Sequence, residues 1–147
     1  MANTHEAATS VDIRAPAETV WRVLTDPDLI AQYMHGTRTV TDWEVGSQII
    51  WRGEWQGRAY EDKGEVVAYE PDRRLAVTHW SPLTGDTDVP ENYHHVTYEI
   101  APVGGGRTHL TLTHGNAPDQ ASADAMIETG WKPMLASLKE TAEKLQQ

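Results

Sequence analysis

Apolar and polar positions alternate from about residue 37 to residue 115, the period of strands with one buried face. Turn-favouring residues interrupt the alternation at Val45-Gly46, Gln56-Gly57, Pro71-Asp72, Pro82 to Pro90 and Gly104-Gly105-Gly106. The pattern predicts six strands, over about 37–42, 47–55, 58–70, 75–81, 92–102 and 107–115. An earlier alternating run, Ser10-Val11-Asp12-Ile13-Arg14, predicts a seventh.

Helical spacing brackets this region. Pro16 suits a first helical turn and Glu18 its positive end, and Val20, Trp21 and Leu24 share one face, so residues 16–24 read as a short amphipathic helix. Asp26 is placed to cap a second helix with Pro27 at its first position. That helix carries Leu29, Ile30, Tyr33 and Met34 and ends near His35-Gly36. At the other end, Asp119 to Leu145 reads as helix. Trp131, Leu135, Leu138, Ala142 and Leu145 form one stripe on it, and Pro133 implies a kink or a helix start nearby. Residues 1–8 read as a loose tail and 9–147 as one domain, without repeat or linker.

Short turns between consecutive strands make an antiparallel meander. A single long amphipathic helix must then cover the sheet's concave face. The expected architecture is α+β: a seven-stranded curved antiparallel sheet around a long C-terminal helix, with two short helices after the first strand and a cavity between sheet and helix.

Register can be read from the hairpins. With Gln56-Gly57 at the centre of a two-residue turn, Trp55 faces Arg58 and pairing runs outward. Arg52 then meets Glu61 and Ile50 meets Lys63 on a solvent face. Ile49 meets Gly64, Trp51 meets Asp62 and Gly53 meets Tyr60 on the other. The glycine turn pairs Ile100 with Leu110, Tyr98 with Leu112 and Val96 with His114, and His94 follows on the same face. Continuing evenly across the long loop Ser81–Asn92 puts Thr78 and Trp80 inside and His79 outside; a bulge would reverse this. The expected lining is Trp51, Asp62, Trp80, His94, Tyr98 and His114, with Trp131 facing them from the helix. One carboxylate and two imidazoles among large aromatics suit a ligand pocket better than a sealed core. The acidic, proline-bounded loop Ser81–Asn92 is placed either to gate such a pocket or to serve as a solvated connector.

Four stretches, taken together, resemble a known family. They are Val11-x-Ile13-x-Ala15-Pro16-Ala17-x-x-Val20-Trp21-x-x-Leu24-Thr25-Asp26-Pro27; Gly64-Glu65-Val66 followed by Pro71-x-Arg73-Arg74-Leu75; Gly106-x-Thr108-x-Leu110-Thr111-Leu112-Thr113-His114; and Gly130-Trp131-x-x-x-Leu135-x-x-Leu138. Over about residues 9–145 the chain resembles the AHSA1-type branch (activator of heat-shock-protein ATPase homologue) of the SRPBCC, or START-like, superfamily. The resemblance implies a helix-grip fold with a deep cavity between sheet and C-terminal helix. Superfamily members bind lipids, hormones and polyketides, and some catalyse cyclisation or dehydration. The branch's bacterial members mostly lack an assigned activity. Its eukaryotic co-chaperones carry a further domain that these residues do not include. The resemblance supplies fold and pocket position, and no catalytic signature.

Composition narrows the chemistry. The 147 residues are 39% hydrophobic and 23% charged, with no cysteine. Disulfides and thiol catalysis are thereby excluded, and a reducing cytoplasm is the simplest setting. The start, MANTHEAATS, does not read as a secretory signal, and no apolar run is long enough to span a membrane. A formal net charge of −10, with only Arg73-Arg74 as a dense basic spot, argues against nucleic acid and anionic membranes as partners. Six Trp and five Tyr with no Phe place polar ring atoms throughout the core, which favours a partly polar cavity.

Asp62, His94 and His114 are metal-ligand types, but HxH and HExxH spacings do not occur, so no metal and no cofactor is expected. Asp62 on an apolar wall would have its pKa raised by desolvation, with His114 as complementary base or relay, a pair suited to proton removal beside a carbonyl or to ring closure with loss of water. Three readings stand. The first is a binding protein for a small hydrophobic or aromatic molecule. The second is a cyclase- or dehydratase-like enzyme using Asp62 and His114 in the same cavity. The third is a chaperone-linked interaction module. A homodimer is the default for a small domain with edge strands.

Overall fold

The structure, a computed structural model, describes residues 5–146. Strand β1 (His5–Ile13) is followed by two short helices, α1 (Ala17–Thr25) and α2 (Pro27–Tyr33). Six strands come next: β2 (Arg38–Val40), β3 (Gln48–Trp55), β4 (Arg58–Glu70), β5 (Arg74–His79), β6 (His94–Gly104) and β7 (Arg107–Ala117). Helices α3 (Gln120–Met126) and α4 (Lys132–Lys144) end the chain, joined by one π-helical turn over Ile127–Trp131. The sheet is a seven-stranded antiparallel one of order β1-β7-β6-β5-β4-β3-β2, and with the C-terminal helix across one face it is a helix-grip fold.

Local chemistry accounts for the joints. The Asp26 carboxylate accepts from the Asp28 amide at 2.9 Å and caps α2, with Pro27 at its first turn. Gln56 and Gly57 both have positive φ, the geometry of the tight turn whose twist suits a hairpin. Pairing then runs outward as the turn requires: Trp55 with Arg58, Arg52 with Glu61, Trp51 with Asp62 and Ile49 with Gly64. Arg52 and Glu61 form an exposed ion pair at 3.5 Å.

The core lies between α1, α2, α4 and the inner face of the sheet. Leu135, Leu138 and Ala142 pack there with Ile100, Leu110 and Leu112. Leu145, expected to close the helical stripe, is 38% exposed because α4 stops at Lys144. The expected irregularity in the C-terminal helix is the π-turn just before Pro133; helical backbone runs on through it into α4, and the altered bonding there accommodates the proline. Of the expected tail, residues 5–8 belong to β1, paired with β7 through His5–Ala117 and Ala7–His114; residues 1–4 lie outside the described residues.

The register of β5 differs from the even reading. Continuing β4 evenly from Asp62 would make Ala68 an inner residue, and with it Thr78 and Trp80. Instead β4 bulges between Val66 and Ala68. The extra residue moves the inner face to Tyr69, whose partner is Leu75, and so to Val77 and His79. On the other side His79 pairs with inward-facing His94. His79 is therefore inside. Thr78 points outward, where its hydroxyl accepts from the Glu65 amide at 3.0 Å, and Trp80 continues past the strand in an isolated bridge to Lys63.

Candidate functional site

The inner face carries a partly open cavity of about 70 Å³ beneath α2 and the C-terminal helix. That is several times the roughly 10–15 Å³ needed for one water, and well below the roughly 300 Å³ or more of a pocket for a drug-sized ligand. A hollow of about 460 Å³ beside Tyr93 and His95 is larger, but it lies on the outer face and is open to solvent. Leu24, Ile30, Tyr33 and Met34 form the helical wall of the inner cavity, Ile49, Val77, Val96 and Tyr98 the sheet wall, and Trp131 the end. Most of this surface is apolar. Desolvation raises the pKa values of Tyr33 and Tyr98 well above the usual phenol range, so both stay neutral donors.

Two polar groups interrupt the apolar wall. Tyr60 and Thr37 share a hydrogen bond between their hydroxyls at 2.8 Å, and Thr37 also donates to the Met34 carbonyl at 2.7 Å. Asp62 Oδ2 lies 2.8 Å from His79 Nε2, and the His79 ring stands 5.2 Å from that of Trp51. The bulge in β4 brings the carboxylate and the imidazole together. The second carboxylate oxygen of Asp62 is buried and has no partner.

His94 and His114 lie in a neighbouring chamber of about 60 Å³, roofed by the loop after β5. His79 and Trp131 line both spaces and form the partition. Trp131, presented by the π-turn, donates its indole N–H to His114 Nδ1 at 3.0 Å. The His94 and His114 rings are 4.7 Å apart. Burial first, then the neighbouring imidazoles His94 and His79, push the His114 pKa down to about 4; burial also lowers that of His94. His114 is thus a neutral ring at ordinary pH and a weak base.

The roof is latched at several points. Lys63 pairs with Asp88, which also accepts from the Tyr93 hydroxyl at 2.6 Å; these two partners hold the Asp88 carboxyl below its usual pKa. Asn116, at positive φ, donates to the carbonyls of Glu91 at 3.0 Å and Tyr93 at 2.7 Å. Trp80 stacks on Tyr93 at 6.3 Å beneath the Lys63 ammonium.

The residues singled out from the pattern therefore divide. Trp51, Asp62 and Tyr98 line the main cavity, His94, His114 and Trp80 line the smaller chamber, and Trp131 lines both. Asp62 and His114, read as an acid–base pair, face different spaces, and the imidazole beside Asp62 is that of His79. The pattern missed His79 because of the bulge. It also left out of the lining Met34 and Thr37, in the segment after α2, and Tyr60, on the inner face of β4. Among the described residues, no three His, Asp or Glu side chains come together in a group that could hold a metal ion. No helix of the described residues is long and apolar enough to cross a membrane.

Residues 14–143 match the family model described as Activator of Hsp90 ATPase homolog 1-like protein. A solution structure of a Cytophaga hutchinsonii protein is 40% identical, with a TM-score of 0.81 and 100% of each chain covered. The Aha1 dimer from Colwellia psychrerythraea is 21% identical, with a TM-score of 0.72 over 94% of this chain and 96% of that one. An HSP90 activator from Plasmodium falciparum is 19% identical, with a TM-score of 0.72 over 92% and 94%. At these last two identities the likeness concerns the fold alone. No curated protein matches the chain.

Proposed function

The chain belongs to the Activator of Hsp90 ATPase homolog 1-like family, and from that premise we propose that it binds a small, largely apolar molecule between the sheet and the C-terminal helix. The observation that carries the reading is the mostly apolar cavity, partly open to solvent, with a few polar groups fixed on its wall. Trp51, Tyr98 and Trp131 supply contact area, as large rigid aromatics do in ligand pockets. Asp62, oriented by His79, offers its unpartnered oxygen as an acceptor to a hydroxyl or N–H of the ligand. The cavity's size favours a single ring or a short chain, or a larger ligand admitted by movement of Trp131 and the helical wall.

A second reading is acid–base chemistry in the same cavity. One observation favours it: a carboxylate that orients an imidazole beside an apolar space is an arrangement that moves protons. On this reading the pair is Asp62 with His79, and His114, in the neighbouring chamber, stands apart from it. A chaperone-linked role comes to the chain through the family description and the Plasmodium falciparum relative, and a dimer through the Colwellia psychrerythraea one.

Native mass spectrometry of protein purified from its own host tests the binding reading. The expected result is a population carrying one added small-molecule mass that is lost on mild collisional activation. A uniformly apo spectrum, from protein kept free of organic solvent, would speak against a tightly held ligand.

A further inference from the structure

Polar atoms buried without a partner are uncommon in native proteins and call for an explanation. Three of the five residues that line the smaller chamber with ring nitrogens carry such an atom: Trp80 Nε1, His94 Nδ1 and His114 Nε2. Their proton states are constrained. An indole nitrogen only donates. Trp131 donates to His114 Nδ1, so that nitrogen carries a lone pair and the ring's proton sits on Nε2. His114 is 1% exposed, so water outside the protein does not reach this proton. Two of the chamber's lining residues, Trp80 and His114, therefore carry buried N–H donors without acceptors. Asp86 is the only charged side chain among its lining residues apart from the histidines, and neither Lys nor Arg is among them. A carboxylate brought here would lose its hydration and gain no cation.

We propose that this chamber is the polar end of the ligand site and takes a neutral carbonyl oxygen, which accepts from Trp80 Nε1–H and His114 Nε2–H. The proposal rests on the main cavity's being a ligand site, and it adds the class of ligand: an apolar body bearing a ketone, aldehyde, ester or amide oxygen at one end. The body occupies the space beside Trp51 and Tyr98, and the carbonyl passes between Trp131 and His79, the two side chains the spaces share.

Acetophenone, ethylbenzene and benzoate test this directly, since they share a ring and nearly one size and differ in carrying a neutral carbonyl, no acceptor, or a charge. Titration calorimetry is expected to show acetophenone binding about tenfold or more tighter than either of the others. In proton–nitrogen NMR the Trp80 indole proton is expected to move downfield with acetophenone and not with ethylbenzene. Trp80→Phe keeps an aromatic ring against Tyr93 and removes the N–H, and should bring the two affinities within about threefold of each other. Equal affinities of the native protein for acetophenone and ethylbenzene would overturn the carbonyl assignment and leave the main-cavity reading standing. Tightest binding of benzoate would overturn the choice of a neutral oxygen. Absence of binding by all three would overturn both readings.

Discussion

Gly64→Ala is expected to destabilise the protein by more than about 4 kcal/mol, or to prevent folding altogether. Gly64 stands in β4 where the carbonyl of Thr78 crosses closest, and a Cβ there would run into that oxygen and its carbon. The obstacle is backbone on both sides, so no rotamer change relieves it. The consequence reaches the site. The same strand contact holds Lys63 and Trp80 in their bridge, with backbone hydrogen bonds of 3.0 and 2.8 Å, and sets His79 within reach of Asp62. Separating β4 from β5 would therefore cost stability and open the wall of the cavity. Gly130→Ala is the matched control. Its Cβ would meet only the flexible end of Met126 at an ordinary 3.5 Å, and alanine is favoured over glycine in a helix by up to about 1 kcal/mol. Thermal unfolding of both variants should show a fall of roughly 10 °C or more for Gly64→Ala and little change or a rise for Gly130→Ala. A Gly64→Ala midpoint close to that of the native protein would mean that β4 and β5 do not approach in this way.

Acid should weaken the fold well above the pH at which carboxylates titrate. The imidazole of His114 has a pKa near its ordinary 6.5 when unfolded and about 4 when folded. Between these values the unfolded chain binds the extra proton, so stability rises with pH. The contribution is complete above about pH 6.5 and is lost as pH falls towards 4. Its full size is about 3 kcal/mol, from about 1.4 kcal/mol for each pKa unit. His94, also shifted down, acts in the same direction. The lowered carboxyls of Asp42, Asp88 and Asp119 lose their contribution only below the ordinary carboxylate value of 3.8, which leaves this window to the imidazoles. Urea unfolding at pH 7, 5.5 and 4.5 should show a steady loss in the native protein. It should show a shallower one in His114→Gln, whose amide oxygen can still accept from Trp131. A native stability that does not change across this range would contradict the burial of a neutral His114.

The extent to which the site was legible in the pattern follows from where its geometry is set. The pairing of Trp51 with Asp62 and of Val96 with His114 depends on the number and type of turn residues, and Gln56-Gly57 and the three glycines specify both. The position of His79 depends instead on one extra residue in β4, at Val67, an exposed valine that any strand would accept. A signal did exist nearby: a glycine inside a strand, Gly64, marks close backbone approach or a bulge. Trp131 was placed on the correct face by helical spacing, and its π-turn was not legible, because the i→i+5 bonds alter local geometry without altering which residues are apolar. The division into two spaces was likewise invisible. It is made by two side chains, Trp131 and His79, whose relation depends on elements far apart in sequence. Leu145 shows the converse, a residue in phase with the stripe but beyond the end of the helix.

The most direct measurement is proton–nitrogen NMR of the isotope-labelled protein titrated with ethylbenzene, which has no polar group to seek a surface site. Binding in the main cavity predicts saturable shifts of the indole signals of Trp51 and Trp131 and of the amides of Val77, Val96 and Tyr98, with the indole of Trp21, packed outside the cavity against Tyr69, left in place. Saturable shifts confined to residues outside the cavity, or no saturable shift at the solubility limit of the probe, would contradict a binding site between the sheet and the C-terminal helix.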